Sequence, residues 1–304
     1  MAILTVSNLT NVTMKGEAKD VFSVVVIFSA IIINVIACPF TIGLNVLVIM
    51  AIKRRPTLQS NSNIMLACLA VTDVVTGLTS QPSFILWQTL SLVGSDITVV
   101  FSEIYLFSVP FLAYSSALHL MMVVGEKLIA IKYPFRYPYI VTTRNIKMGV
   151  LFCWVYSSSI TLPLHLINGT SALFYISVSH IYLACVIFVS ISYVILYFET
   201  RRHQKMIKAQ QLPQEQVETF LKENRALKTT VLVVGAIGLC LLPALVYLFL
   251  LAARFVPRID YMSAIVRTFL MINSVLNPLI YCWRQKEIRK FVFRNSSQAV
   301  HAIH

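Results

Sequence analysis

Charge is what this chain has least of. Aspartate, glutamate, lysine and arginine make up 12% of its 304 residues, where soluble domains carry about 25%. With 58% hydrophobic residues and a mean hydropathy of +0.78, it cannot clothe itself in polar groups. A soluble domain is excluded and an integral membrane protein is expected. Acids are scarcer than bases, 12 against 25. The resulting +13 charge is scattered over short segments between apolar stretches, which argues against nucleic-acid binding. Paired acids, metal-ligand groups and an activated nucleophile do not cluster, so no enzyme is expected. His119, His165 and His180 stand alone, and none reads as a metal site. Residues 1–20 lack a basic stretch followed by an apolar core, so no cleaved signal peptide is expected. All six cysteines (Cys38, Cys68, Cys153, Cys185, Cys240, Cys282) fall in or at the ends of apolar stretches. No extracellular disulfide is expected, although that face is oxidising.

What is present is apolar length. About 20 residues cross a hydrocarbon core of about 30 Å, and seven stretches suffice: 22–52, 61–92, 98–131, 147–167, 173–198, 228–253 and 261–283. Pro39 is expected to bend the first. Twenty of the 25 basic residues lie on one side: Lys53 to Arg55, five from Lys127 to Lys147, seven from Arg201 to Lys228, and five from Arg284 to Arg294. The positive-inside rule then puts the N-terminus outside and the C-terminus in the cytoplasm. Glycosylation sequons at Asn8, Asn11 and Asn168 fall on the outer side, whereas that at Asn295 is cytoplasmic. The fold class is an all-α membrane protein, a seven-transmembrane helix bundle. Residues 1–21 form an extracellular tail, 22–283 the bundle, 284–294 an amphipathic helix and 295–304 a cytoplasmic tail.

The last stretch closes with Asn277-Pro278-Leu279-Ile280-Tyr281. A proline inside a spanning helix removes one backbone donor and frees the carbonyl four residues earlier, that of Ser274. In hydrocarbon this carbonyl needs a polar neighbour or buried water, so Asn273, Ser274 and Asn277 are expected around a wet cavity. Asp73 is an acid at mid-membrane and needs interior partners.

Other short motifs accompany this one in order: Gly43-Leu44-Asn45, Leu66 to Asp73, Glu126-Lys127-Leu128, Ala130 to Tyr137, Trp154, Tyr193 and Cys240-Leu241-Leu242-Pro243. Together they resemble a rhodopsin-like (class A) G-protein-coupled receptor over nearly the whole chain. The run from Ala130 to Asn145 is most similar to adenosine or melanocortin members. The resemblance implies a plasma-membrane, multi-pass receptor that passes binding of an extracellular ligand to a heterotrimeric G protein by movement of helices six and seven. It also places Ser116, Asn273 and Asn277 around Asp73. Oxygen donors of this kind suit a hard cation, and similar receptors hold sodium there. The alternative is a hydrogen-bonded cluster with protonated Asp73 and no ion. No organic cofactor is expected.

Three departures stand out. The family's acidic-Arg-Tyr triplet is Glu126-Lys127-Leu128, and lysine lacks arginine's planar fork. The resemblance pairs Lys127 with Glu223 as a latch, and Tyr193 with Tyr281 in the active state. The aromatic toggle of span six is Leu241, with Pro243 kept to kink the helix. Ser102 stands where span three offers its disulfide cysteine, and Cys185 where span five has a proline. A working receptor with a tuned switch and a non-signalling or constitutively active relative both stay open. A transporter would need a chain of ionisable groups through the membrane, and Asp73 is nearly alone.

The ligand is narrowed by exclusion. Val109 replaces the aspartate that pairs with amines, Met271 the lysine that holds retinal, and Leu248 with Met271 the adenosine-binding pair. Ala113 and Leu241 complete the candidate pocket. Arg267, one turn above Met271, is a cation in the outer half of the membrane. It would bind a carboxylate or phosphate of an acidic small molecule, lipid or peptide, with Glu103 or Asp260 as counterion when empty. The alternative is a structural ion pair or a snorkelling side chain. Trp87, Tyr105 and Tyr247 are candidate pocket walls or, equally, belt or core residues. After Tyr281, Ile288, Phe291 and Val292 share one face amid cations, which suits a helix at the inner lipid interface.

Overall fold

The computed structural model describes residues 2–168, 172–210, 242–251, 253, 255, 260–284 and 287–292, with side chains at 21–167, 179–199, 201–202, 242–251, 253, 255, 261–283 and 287–292. Among the described residues every regular element is helical. The helices are α1 (Ala2–Arg54), α2 (Asn61–Leu78), α3 (Ser80–Val93), α4 (Thr98–Lys132), α5 (Tyr137–Ile140), α6 (Thr143–Asn168), α7 (Ala172–Gln210), α8 (Leu242–Leu251) and α9 (Asp260–Arg284), followed by a helical turn at 287–292. The helical backbone of α1 thus continues through the segment expected as a tail. Six stretches are long and apolar enough to span: Val21–Arg54, Asn61–Val93, Thr98–Lys132, Thr143–Ile167, Ser179–Glu199 and Tyr261–Trp283. They match the expected spans within a few residues where side chains are described; those at the outer end of the fifth, 172–178, lie outside the described residues. α8 is the described part of the sixth span, and Leu241, Cys240 and Glu223 lie outside the described residues.

The second span is not one helix. Pro82 has no N–H for the carbonyl of Leu78, and the chain breaks at Thr79, the residue shared by the ends of α2 and α3. The Thr79 hydroxyl turns back to the Val75 carbonyl at 2.7 Å. Just below the break α1 and α2 touch. A Cβ on Gly77 would sit 2.7 Å from Ile42 Cγ1, so only glycine fits this approach. Cys38 donates to the Gly77 carbonyl across the same contact, at 3.2 Å. Gly94 ends α3 in the left-handed conformation at φ 71°.

α4 runs through the middle and packs on α2, α3, α6 and α7. Its inward residues Tyr114, Ala117, Leu120 and Val124 meet Ile181, Tyr182, Cys185 and Val189 of α7. Cys185, standing where the family has a proline, therefore packs into the α4–α7 interface. Outward faces carry exposed apolar residues such as Phe28, Leu151, Phe152 and Ile187, the pattern of helices solvated by lipid. The five described cysteines are all free thiols.

One expectation is corrected at the cytoplasmic foot. Ile288, Phe291 and Val292 do not face lipid: they are buried against Val48, Ala51 and Ile52 of α1, Leu66 and Leu69 of α2, and Tyr281. Thr57 fixes the turn by donating to Glu287 Oε2 at 2.9 Å. Burial against the bundle satisfies the same apolar face that the inner leaflet would have taken, and leaves Arg289 and Lys290 exposed.

Candidate functional site

Asp73 on α2 is fully buried, and Asn277 of α9 donates to its Oδ2 at 2.9 Å. Beside this bond lies a cavity of about 50 Å³ whose walls include Ser116 and Ala113 of α4, Tyr182 of α7, and Asn273, Ser274 and Asn277 of α9. Such a volume holds a few waters, since one needs roughly 10–15 Å³ by this measure. Asp73 Oδ1, Asn273 Oδ1 and Asn277 Oδ1 are buried with no protein partner among the described residues. Three oxygens without donors, one from a carboxylate, match the preference of a hard cation or of ordered water. Of the residues expected around Asp73, Asn277 bonds it, while Ser116 and Asn273 line the neighbouring cavity. No group of three or more histidine, cysteine or acidic residues suited to a metal occurs among the described residues.

Val109 and Met271 line the same cavity as Ala113. Ligand candidates and polar residues therefore share one space, the first above the second. Leu248 does not line it and packs with Leu245 and Leu270 against the α4–α7 cluster. Leu241 is outside the described residues.

Arg267 occupies its own aromatic setting. Its guanidinium lies 4.6 Å from the Trp87 ring centre and 5.2 Å from that of Tyr105. The two rings are 5.4 Å apart, with Phe84 behind Tyr105. A guanidinium near aromatic faces is held by their negative quadrupoles. Glu103 faces elsewhere and corrects the expected pairing: its carboxylate lies 3.4 Å from His165 Nε2 on α6. Helical spacing is the reason. Glu103 and Phe107 sit four residues apart on the face that meets His165, while Tyr105, two residues from Glu103, points about 200° away. The Asp260 side chain lies outside the described residues. Tyr247 is engaged with Ser263 at 2.9 Å, joining α8 to α9.

At the cytoplasmic end Lys127 Nζ is 3.0 Å from Glu126 Oε2 and donates to Ser62 of α2 at 2.5 Å. Tyr137 donates to Glu126 Oε1 at 2.7 Å. Desolvation, with the bonded carboxylate adding to it, pushes the Tyr137 phenol up. Glu126 is thus clasped between its own neighbour and the following loop. The expected partner Glu223 is outside the described residues. Tyr281 is buried among α1, α2 and the 287–292 turn, and Tyr193 is half-buried on α7. The side chains of Asn8, Asn11 and Asn168 lie outside the described residues.

Sequence reasoning missed the part played by α1. Asn45 donates to the Ser274 carbonyl and Asn34 to the Thr268 hydroxyl, 2.9 and 3.0 Å. Eleven residues apart, these asparagines share one helical face. Asn45 already stood in the Gly43-Leu44-Asn45 motif, and that spacing was the signal for Asn34.

Comparison with known proteins agrees with this geometry. The family described as 7 transmembrane receptor (rhodopsin family) matches residues 44–281. The chain is 27% identical to adenosine receptor A2a of Cavia porcellus over 282 residues, covering 81% of this chain and 67% of the other. It is 25% identical to melanocortin receptor 5 of Pan troglodytes over 265 residues, covering 81% and 77%. With the histamine H2 receptor of Rattus norvegicus it shares 27% over 302 residues, covering 92% and 82%. The chain spans about two thirds of the length of the adenosine receptors. It belongs to the rhodopsin family of seven-transmembrane receptors. It is a multi-pass membrane receptor and not an enzyme.

Proposed function

We propose that the chain is a plasma-membrane receptor that passes binding of an extracellular ligand to a cytoplasmic heterotrimeric G protein through movement of the sixth and seventh spans. One observation carries this reading. Val109, Ala113 and Met271 line the same cavity as Ser116, Asn273 and Asn277. A ligand pressing on the upper walls shares packing with the Asn277–Asp73 bond, one residue from the Pro278 kink. Exposed Phe135 and Tyr139, with Lys132 and Arg136 beside them, offer a cytoplasmic surface for a protein partner.

Sodium fits beside Asp73, with Ser116, Asn273 and Asn277 as further oxygen donors. Bound there, the ion would supply positive charge that compensates the buried carboxylate. The ligand reading rests on Arg267, whose fork would take a carboxylate or phosphate from an acidic small molecule, lipid or peptide. Val109 and Met271 argue against a typical amine or retinal.

The rival reading is a non-signalling or constitutively active receptor-like protein. Lys127 favours it, because a lysine lacks the planar fork of the arginine that the family carries there. G-protein activation in cells expressing the chain tests both, with Asp73→Asn and Lys127→Ala alongside. Normal surface expression with no transducer response, basal or to ligand libraries, would defeat the signalling reading.

A further inference from the structure

The cytoplasmic link from α1 to α2 runs Lys53-Arg54-Arg55-Pro56-Thr57, and all five side chains are exposed. Leu58 alone turns inward, at 5% exposure. Thr57 is the one serine or threonine of the chain with basic residues both two and three positions before it. Arginine forks at fixed offsets from a hydroxyl are bound by carboxylates. Such charge patterns are how protein kinases choose substrates. Arg55 is already extended, at φ −111° and ψ 106°. Beyond it two main-chain bonds hold the turn, Leu58 to Arg55 and Gln59 to Pro56, at 2.9 and 3.1 Å. An exposed turn with so few bonds opens locally at low cost.

The same segment fastens the 287–292 turn to the bundle. The Thr57 hydroxyl donates to Glu287 Oε2 at 2.9 Å. The Arg55 guanidinium lies 6.0 Å from the centre of the Phe291 ring. Beneath these two contacts Ile288, Phe291 and Val292 are buried in one cluster with Tyr281 of α9. One hydroxyl and one cation of the first link therefore latch the chain that follows the seventh span.

We infer that Thr57 is a phosphorylation site for a serine/threonine kinase selective for basic sequences, and that its phosphate releases the 287–292 turn. Thr57 Oγ1 attacks the γ-phosphorus of ATP. The new O–P bond forms as the bond from that phosphorus to the β,γ-bridging oxygen breaks. ADP leaves with that electron pair, and the hydroxyl proton passes to the base of the kinase. The threonine oxygen then has no hydrogen to donate to Glu287. In its place stands a phosphate of about −1.5 to −2 charge, which the Glu287 carboxylate repels. Arg55, two residues back, is drawn to the phosphate and away from Phe291. Both contacts fail together, and the apolar face of Ile288, Phe291 and Val292 turns to the inner leaflet with Arg289 and Lys290 beside it. The inference rests on the cytoplasmic foot of the fold alone, and stands or falls separately from G-protein coupling.

The test treats the full chain in lipid nanodiscs with ATP and the catalytic subunit of cAMP-dependent protein kinase. Mass spectrometry should find phosphate on Thr57, and Thr57→Val should remove it. Arg54→Gln and Arg55→Gln should each lower kcat/KM for this site about tenfold, the worth of one charge-assisted bond. Hydrogen–deuterium exchange then reads the turn. Phosphorylation should speed exchange at 287–292 severalfold while exchange within α2 and α4 stays as it was. In Glu287→Gln, which still accepts from the Thr57 hydroxyl, the same phosphate should speed exchange much less. Exchange in α2 and α4 also shows that each variant is folded. Phosphate on Thr57 only in detergent-denatured chain, or rates unchanged in both arginine variants, would overturn the site. Phosphorylation without faster exchange at 287–292, or an equal rise in Glu287→Gln, would overturn the release.

Discussion

The Asn45 side-chain amide donates to the carbonyl of Ser274 at 2.9 Å, and Ser274 is the residue whose carbonyl Pro278 leaves without a helical partner. The same amide nitrogen donates to Thr41 at 2.8 Å, so both of its hydrogens are used. A defect in the seventh span is thus repaired from the first.

The repair should be measurable as coupling. Asn45→Ala leaves a buried carbonyl unsatisfied and should cost about 1–3 kcal/mol. Pro278→Ala restores an N–H in α9, so Asn45→Ala should cost clearly less in that background. Melting of purified receptor in detergent gives all corners of the cycle, and simple additivity would show that the two residues do not serve the same carbonyl.

Sodium should raise the melting temperature of the ligand-free receptor relative to choline at equal ionic strength. Asp73→Asn should remove that difference, since it takes away the one charged oxygen donor in the cluster. An equal sodium effect in both proteins would place the ion elsewhere or nowhere.

Arg267→Ala removes both a cation and a packing element between Trp87 and Tyr105. The lost cation–π contacts should lower stability by about 0.5–2 kcal/mol. For an acidic agonist, potency should fall tenfold or more while surface expression persists. An agonist whose potency is unchanged would take Arg267 out of the pocket.

Lys127→Ala frees Glu126 from its neighbour and Ser62 from its donor. Basal G-protein activation should rise, because a contact that ties the foot of α4 to α2 is lost. Cell signalling corrected for surface number measures this, and an unchanged basal level would make the contact incidental.

Gly77→Ala should destabilise by about 1–3 kcal/mol, since the new methyl meets Ile42 Cγ1 at 2.7 Å. Ile42→Ala should restore part of the loss. Equal melting of Gly77→Ala and the parent would mean that α1 yields freely.

Much of this protein was written in its order of residues. Hydrophobic length and basic-residue bias are local properties of the chain, so span boundaries and orientation could be read directly. Asp73 could be known to need interior partners because a buried acid in lipid has few tolerable surroundings, and the family resemblance named Asn273 and Asn277 among them. The break at Thr79 was legible in principle from Pro82, yet a continuous apolar run concealed it. What tertiary structure alone decided is which helix meets which. The Ser274 carbonyl could be known to need a donor, but not that Asn45 supplies it. Glu103 was one of two candidate counterions for Arg267, with Asp260, until the rotation of α4 turned it toward His165. The face of Ile288 and Phe291 was apolar on any reading, and only packing chose the bundle over the lipid. Composition and periodicity state what each group requires, whereas contacts hundreds of residues apart depend on how helices rotate and pack, which no local pattern encodes.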